Sequence, residues 1–164
     1  MGEVVFRTMD AGDLHAVGKL AGRLVRLHHA FDPERFLDLP NPEAGYARYF
    51  ASQLRSEDAV LLVAERERTI VAYVYACMEP RSYNELLDAC GKIHDVYVDE
   101  GERRTGVGER ILREAMRRLR DKGAPRIVLL TAVQNEGAQR LFGRLGFRTT
   151  MLEMTAELDD EARG

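Results

Sequence analysis

The apolar positions change period several times along the chain, and each change marks an element. Val4-Val5-Phe6-Arg7-Thr8 reads as a short strand. Asp10 follows as an N-cap, and Asp13 places a carboxylate at the positive end of the next helix. Leu14, Val17, Leu20, Ala21, Leu24 and Leu27 fall at helical spacing, although Gly18 and Gly22 interrupt the stripe. Beyond the turn Asp38-Leu-Pro-Asn-Pro42, residues Tyr46, Tyr49, Phe50 and Leu54 predict a second helix. Ala59–Ala64 and Ile70–Met78 are β-type runs separated by the polar Glu65–Arg68, the signature of an antiparallel hairpin. Pro80–Asp88 connects to a strand at Lys92–Val98, followed by the polar stretch Asp99–Thr105. Val107, Ile111, Leu112, Ala115, Met116 and Leu119 form one apolar stripe, closed by Gly123 and Pro125. Arg126–Thr131 reads as a buried strand. Asn135 caps a short helix carrying Ala138, Leu141, Phe142 and Leu145, which Gly146 ends. Phe147–Leu158 is a last extended segment. The order is β-α-α-β-β-β-α-β-α-β, a mixed α/β protein.

Composition narrows the function classes. The 164 residues suit one domain, expected over 1–159, with 160–164 as a solvated tail. At 45% hydrophobic and 31% charged, the chain is not expected to be disordered. Its longest uncharged apolar run, Ile70–Met78, is far too short to span a bilayer. The first residues lack a basic n-region and a long apolar stretch, so no secretory signal is expected. The net charge of -3 gives no support to nucleic-acid binding. Cys77 and Cys90 have neither zinc-ligand nor redox spacing, which points to reduced thiols in a cytoplasmic protein. The neighbouring His28 and His29 diverge by about 100° on a helix, so no metal site is expected.

The stretch Val98-Asp-Glu-Gly-Glu-Arg-Arg-Thr-Gly-Val-Gly108 joins a strand to a helix. A helix N-terminus leaves amide N–H groups unpaired and carries partial positive charge. Gly106 and Gly108 let a phosphate approach the main chain, and Arg103 and Arg104 add cationic partners. A P-loop is excluded, because no Gly-Lys-Ser/Thr ending is present; a dinucleotide fingerprint lacks its third glycine, since position 111 is Ile. Two glycines alone also fit an ordinary helix start.

The second half of the chain resembles the GNAT superfamily of acetyl-CoA-dependent N-acetyltransferases. Its central motif, a strand followed by Gln/Arg-x-x-Gly-x-Gly/Ala and a helix, is matched by Ile93–Val98, Arg103-Arg-Thr-Gly-Val-Gly108 and Glu109–Lys122. Its next motif is matched by Ile127–Thr131 and Asn135-Glu-Gly-Ala-Gln-Arg-Leu141-Phe142-Gly-Arg-Leu-Gly146-Phe147. The resemblance implies an α/β GNAT fold: a mixed, mostly antiparallel sheet of about six to seven strands with about four flanking helices. It implies acetyl-CoA as co-substrate and an amine, on a small molecule or a protein, as acceptor. The amides of Arg104, Thr105, Gly106, Val107 and Gly108 would hold the pyrophosphate, with Arg103 beside them. The main chain of Val96, Tyr97 and Val98 would run along the pantetheine, paired through Val96 and Val98, and Val98 N–H would face the developing oxyanion. Asn135 would reach the cofactor, cap its helix, or do both; Phe142 would pack against the cofactor.

The chain departs from the pattern at two positions. Phe142 stands where many members carry a tyrosine acid, and Leu130 where some carry an acidic residue. Catalysis then falls to Asp95, His94 and Glu79, with Tyr75 and Tyr83 as further proton donors. Strand alternation puts His94 and Asp95 on opposite faces, so at most one is expected in the acceptor cleft. Leu27–Phe36 covers the acceptor side in this family, where Phe31, Arg35 and Phe36 line the pocket or merely pack a loop. Phe147–Leu158 has no turn to split it into two final strands, so an open edge and a homodimer are expected. The alternative function is a GNAT-fold module that binds acetyl-CoA with little catalysis.

Overall fold

A computed structural model describes residues 2–158; the expected tail at 160–164 lies outside the described residues. The elements run β1 Val4–Thr8, α1 Leu14–Phe31, α2 Pro42–Gln53, β2 Ala59–Arg66, β3 Thr69–Glu79, β4 Cys90–Val98, α3 Val107–Asp121, β5 Ile127–Leu129 and α4 Glu136–Arg144. The strands form one sheet in the order β1-β2-β3-β4-β5. Three junctions are antiparallel, and β4 with β5 is parallel. One face packs Val74, Ala76 and Ile93 under α3 and α4; the other packs Leu61, Val63, Tyr73 and Tyr97 under α1 and α2.

The α/β class and the order of elements are as expected, but the sheet has five strands rather than six or seven. The strand expected over 126–131 shortens to Ile127–Leu129. The segment expected to extend from Phe147 to Leu158 joins no strand of the sheet. Phe147 stays half-buried, but Met151, Leu152, Met154 and Leu158 are between 71% and 90% exposed. With no turn to fold the segment back, it makes no in-chain hairpin.

Local chemistry explains the frame. Asp10 accepts from Gly12 N–H, and Asp13 accepts from Asp10 N–H, a reciprocal cap on the 3₁₀ turn at 11–13 that leads into α1. Arg7 holds Asp13 at 2.7 Å and Glu65 at 2.7 Å, and its guanidinium keeps the nearly buried Asp13 carboxyl below the usual range. Asn41 caps α2, with Pro42 at its first position. Gly18 inside α1 is needed because α2 crosses there: a Cβ on it would stand 2.7 Å from the Glu43 carbonyl oxygen. Phe50 of α2 is fully buried against Tyr73 and Tyr75. Burying such a side chain contributes about 2–3 kcal/mol and fixes α2 over β3.

Candidate active site

Strand β4 carries the site. Its parallel register with β5 ends at Ile93↔Leu129, although β4 continues to Val98. Asp99 N–H donates to the Val71 carbonyl at 2.8 Å, so Asp99 and, by alternation, Tyr97 face β3. The main-chain groups of Val96 and Val98 therefore face the other edge, where β5 has already ended. A splayed edge of this kind can take an extended polar chain as an added strand.

The register of β4 with β3 is interrupted. Tyr75 pairs with Asp95 but Ala76 pairs with Ile93, leaving His94 as an extra residue. This β-bulge breaks the alternation. His94 stacks on Tyr75 with ring centroids 5.2 Å apart and planes at 22°, and the Tyr73 hydroxyl donates to Asp95 Oδ2 at 3.4 Å. Tyr73 and Tyr75 both point to the α1/α2 face. His94 and Asp95 thus share one face, contrary to the expectation that at most one could. The extra residue turns both side chains to the same side.

Glu79 lies two strand periods beyond Tyr75 and reaches the same group, its Oε1 2.9 Å from His94 Nε2. Burial raises the Asp95 carboxyl above the usual range, opposed by the charges of His94 and His28 and by the Tyr73 hydrogen bond. The Tyr75 hydroxyl donates to Gln53 Oε1 at 3.0 Å and lies 3.1 Å from the Tyr49 hydroxyl. Burial, and then the Tyr49 contact, push its pKa far above the usual phenol range. Tyr75 is therefore a support for His94 and a poor proton donor. Tyr83 is 80% exposed on the β3–β4 connection and lines an open depression of about 560 Å³ with Glu79, Glu85 and Lys92.

On the other side of Val98, Gly106 forms the N-cap of α3 at φ 87°, a left-handed conformation that a side chain resists. No side chain caps this end, so the first amides of α3 point outward unpaired. Arg104 is also left-handed, at φ 63°. Thr105 donates its hydroxyl to the Glu102 carbonyl at 2.6 Å and is engaged inside the loop. The nearly buried Glu102 takes two hydrogen bonds from Arg66, at 2.8 and 2.9 Å, which tie the loop to β2. Arg103 folds back, its Nε donating to the Val98 carbonyl at 3.4 Å and its guanidinium 5.7 Å from the Tyr97 ring. Val107 is buried in the core. Gly108 is a packing position, since a Cβ there would stand 3.4 Å from Leu141 and Val98 side chains.

Asn135 accepts from Ala138 N–H at 3.2 Å, the capping role among those expected. Phe142 is only 6% exposed and meets Phe147 edge-to-face at 6.0 Å. Phe31 and Phe36 flank His28 at 5.7 and 5.1 Å, Arg35 lies over the Phe36 ring, and Arg35 is ion-paired with Glu153. Tyr49 and Gln53 were not foreseen at the site; on α2 their spacing signals only a buried face. Among the described residues no group of three metal-ligating side chains occurs, and no helix is long and apolar enough to cross a membrane.

Comparison with known proteins agrees with this geometry. The Acetyltransferase (GNAT) family matches residues 23–147. The mycothiol acetyltransferase of Corynebacterium diphtheriae is 26% identical over 102 residues, which are 62% of this chain and 32% of that protein. The matched region thus spans about a third of that relative's length. Among solved structures, a tetramutant of the BH1408 protein from Bacillus halodurans superposes with a TM-score of 0.81 at 22% identity, covering 94% of this chain and 99% of that one. The aminoglycoside N-acetyltransferase AAC(6')-Iy in complex with CoA gives 0.75 at 15% identity, covering 96% of each chain. Glucosamine-6-phosphate N-acetyltransferase from Arabidopsis thaliana gives 0.69 at 19%, covering 96% and 99%. These likenesses are likenesses of fold. With the family matching most of its length, the chain belongs to the GNAT acetyltransferase family.

Proposed function

We propose that this protein is an N-acetyltransferase acting on an amine of a small molecule. The observation that supports it best is the bulge at His94. It sets His94, Glu79 and Asp95 on one face, beside the open main-chain edge of Val96 and Val98. In this reading Val96 and Val98 pair with the pantetheine, and the free amides at the start of α3 take the pyrophosphate, with Arg103 and Arg104 beside it.

Glu79 accepts the Nε2–H of His94, which leaves Nδ1 as the basic nitrogen. The amine nitrogen attacks the thioester carbonyl and passes its proton to His94. Val98 N–H holds the oxyanion, the C–S bond breaks, and the coenzyme A thiolate leaves. Phe142 has no proton to give, so water carries one from His94 to the sulfur. Asp95 attracts a cationic acceptor through the same face. A small-molecule acceptor is supported by the similar proteins, whose names give mycothiol, aminoglycoside and glucosamine 6-phosphate. Residues 1–159 act as one domain, in the cytoplasm, consistent with the free Cys77 and Cys90. The molecule works as a homodimer through its C-terminal segment.

The second reading, a module that binds acetyl-CoA without turnover, is favoured by Phe142 and by the engaged Tyr75 hydroxyl. Calorimetry with acetyl-CoA, coenzyme A, ATP and NAD, followed by thiol release over a panel of small-molecule amines, separates the two. Saturable acetyl-CoA binding with release on one amine supports the enzyme. Binding without release on any amine supports the module. No acetyl-CoA binding overturns both.

A further inference from the structure

We propose that Arg66 and Glu102 are positioning residues: their ion pair is a strut that holds the phosphate-binding loop in shape for acetyl-CoA. The strut rests on the reading that the amides at the start of α3 take the pyrophosphate. Those amides have little of their own to hold them. Among the described residues, the first amide after Arg103 to reach a backbone carbonyl is that of Arg110, which donates to Gly106 at 3.1 Å. Two residues in between, Arg104 and Gly106, are left-handed, at φ 63° and 87°. Arg104 carries a Cβ, so its conformation is disfavoured and has to be imposed by its surroundings.

Glu102 is where that constraint enters. It ends the short 3₁₀ turn at 100–102, and its side chain is only 11% exposed. Its two carboxylate oxygens accept from Arg66, at 2.8 Å from Nε and 2.9 Å from Nη2. Its carbonyl accepts the Thr105 hydroxyl at 2.6 Å. Glu102 thus grips β2 with its side chain and the far side of the left-handed Arg104 with its main chain. Arg66 is itself fixed. It closes β2, paired to Val4 on one side and Thr69 on the other, and its Nη1 donates to the Gly2 carbonyl. A guanidinium fork on a carboxylate sets plane as well as distance, so the base of the loop can neither swing nor tilt.

Stability alone is a weak reason for such a pair. Taking two charges out of water costs about as much as their attraction returns, and well-packed apolar side chains serve as well or better. What the two-bond pair adds is a single geometry. The ion pair on the other flank of the loop is the contrast. Arg23 of α1 meets Asp99 through one bond at 2.9 Å, and both side chains are well exposed. Solvent screens that pair, and it joins the chain before the turn that Glu102 anchors.

The test uses four variants of the full chain, with acetyl-CoA affinity from calorimetry and Tm from thermal melts. Arg66→Lys keeps the charge and loses the fork. The double variant R66L/E102L replaces the pair with apolar side chains. Arg23→Ala removes the exposed pair, and Gly106→Val disturbs the loop directly. The Kd for acetyl-CoA is expected to rise about tenfold in Arg66→Lys and in R66L/E102L, and to stay within about twofold in Arg23→Ala. On an accepted amine, kcat at saturating acetyl-CoA should change by less than about threefold in the same variants. Tm is expected to fall in Arg66→Lys and to recover in the double variant, while affinity does not recover. Recovery of both together marks a merely structural pair and overturns the strut. So does a loss in Arg23→Ala equal to that in Arg66→Lys, since the loop would then answer to any lost contact. If neither change at Arg66 weakens binding but Gly106→Val does, the strut falls and the phosphate reading stands. If Gly106→Val also leaves the Kd unchanged, both fall.

Discussion

The loop after β4 and the face under α1 and α2 adjoin along one strand, but they are made of different material. The loop offers main chain: the left-handed Gly106, the uncapped start of α3, and the edge of Val96 and Val98 that β5 leaves unpaired. The face offers side chains gathered from three elements, Tyr49 and Gln53 from α2, Tyr75 and Glu79 from β3, and His94 and Asp95 from β4. A main-chain site depends on what is missing, a Cβ or a cap. A side-chain site depends on the fold bringing particular groups together. The first kind binds the same ligand wherever the backbone recurs. The second changes its chemistry with each substitution, which fits a shared co-substrate and a variable acceptor.

That contrast predicts which rate constants each region controls. The largest effect is expected at His94. His94→Ala removes the proposed proton acceptor and should lower kcat by about 10² to 10⁴. Acetyl-CoA affinity stays within about twofold, because no main-chain group on the cofactor side changes. Glu79→Gln keeps a hydrogen bond but not the charge and falls between the two. Steady-state kinetics on an accepted amine, with calorimetry for acetyl-CoA, measures both quantities. If His94→Ala leaves kcat intact, the gathered side chains are support only and the division fails.

Gly106→Val should show the reverse. At φ 87° a β-branched residue is strained by about 1–2 kcal/mol, and the loop relaxes by turning its amides away. The KM for acetyl-CoA then rises about tenfold or more, with a smaller change in kcat at saturation. Unchanged acetyl-CoA binding would show that the glycine serves only the helix start.

How much of this the residues reveal unaided follows from the same division. The Arg-x-x-Gly-x-Gly spacing and the α3 stripe are local, and the structure has the strand, loop and helix where the pattern puts them. The bulge at His94 is not local. It arises from the register between β3 and β4 over eight pairs of residues, and nothing in Ile93-His94-Asp95 announces an extra residue. Alternation alone therefore separates two side chains that the structure unites. Tyr49 and Gln53 are hidden for a related reason: helical spacing predicts the helix, and only packing shows that both reach Tyr75, the ring on which His94 stacks. The last segment misleads in the opposite direction. Its composition does favour a strand, but a strand needs a partner, and the segment pairs with no strand of the sheet.

The smallest expected effects concern two carboxylates on opposite sides of the sheet, whose pKa values move in opposite directions. Burial raises Asp95 on the acceptor face. Arg117 and Arg118 hydrogen-bond Glu114 on α3 at 2.7 and 2.8 Å and lower it to about 2. A raised carboxyl binds its proton more tightly in the folded state. Its cost is therefore absent below the unfolded pKa and grows as pH rises through the folded one. Asp95→Asn should stabilise the protein at neutral pH and leave it unchanged in acid, while lowering activity on cationic acceptors. A lowered carboxyl contributes stability that is present above about pH 4.5 and lost as pH falls toward 2. Because Arg117 is about half exposed, solvent screening limits that contribution to about 1 kcal/mol or less. Glu114→Gln should therefore lower Tm slightly at pH 7 and not at all near pH 2. Thermal melts of both variants over that range should give difference curves of opposite sign. Two curves of the same sign would mean that Asp95 is paired with a cation in the folded protein, and that the acceptor face already holds the positive charge an amine would bring.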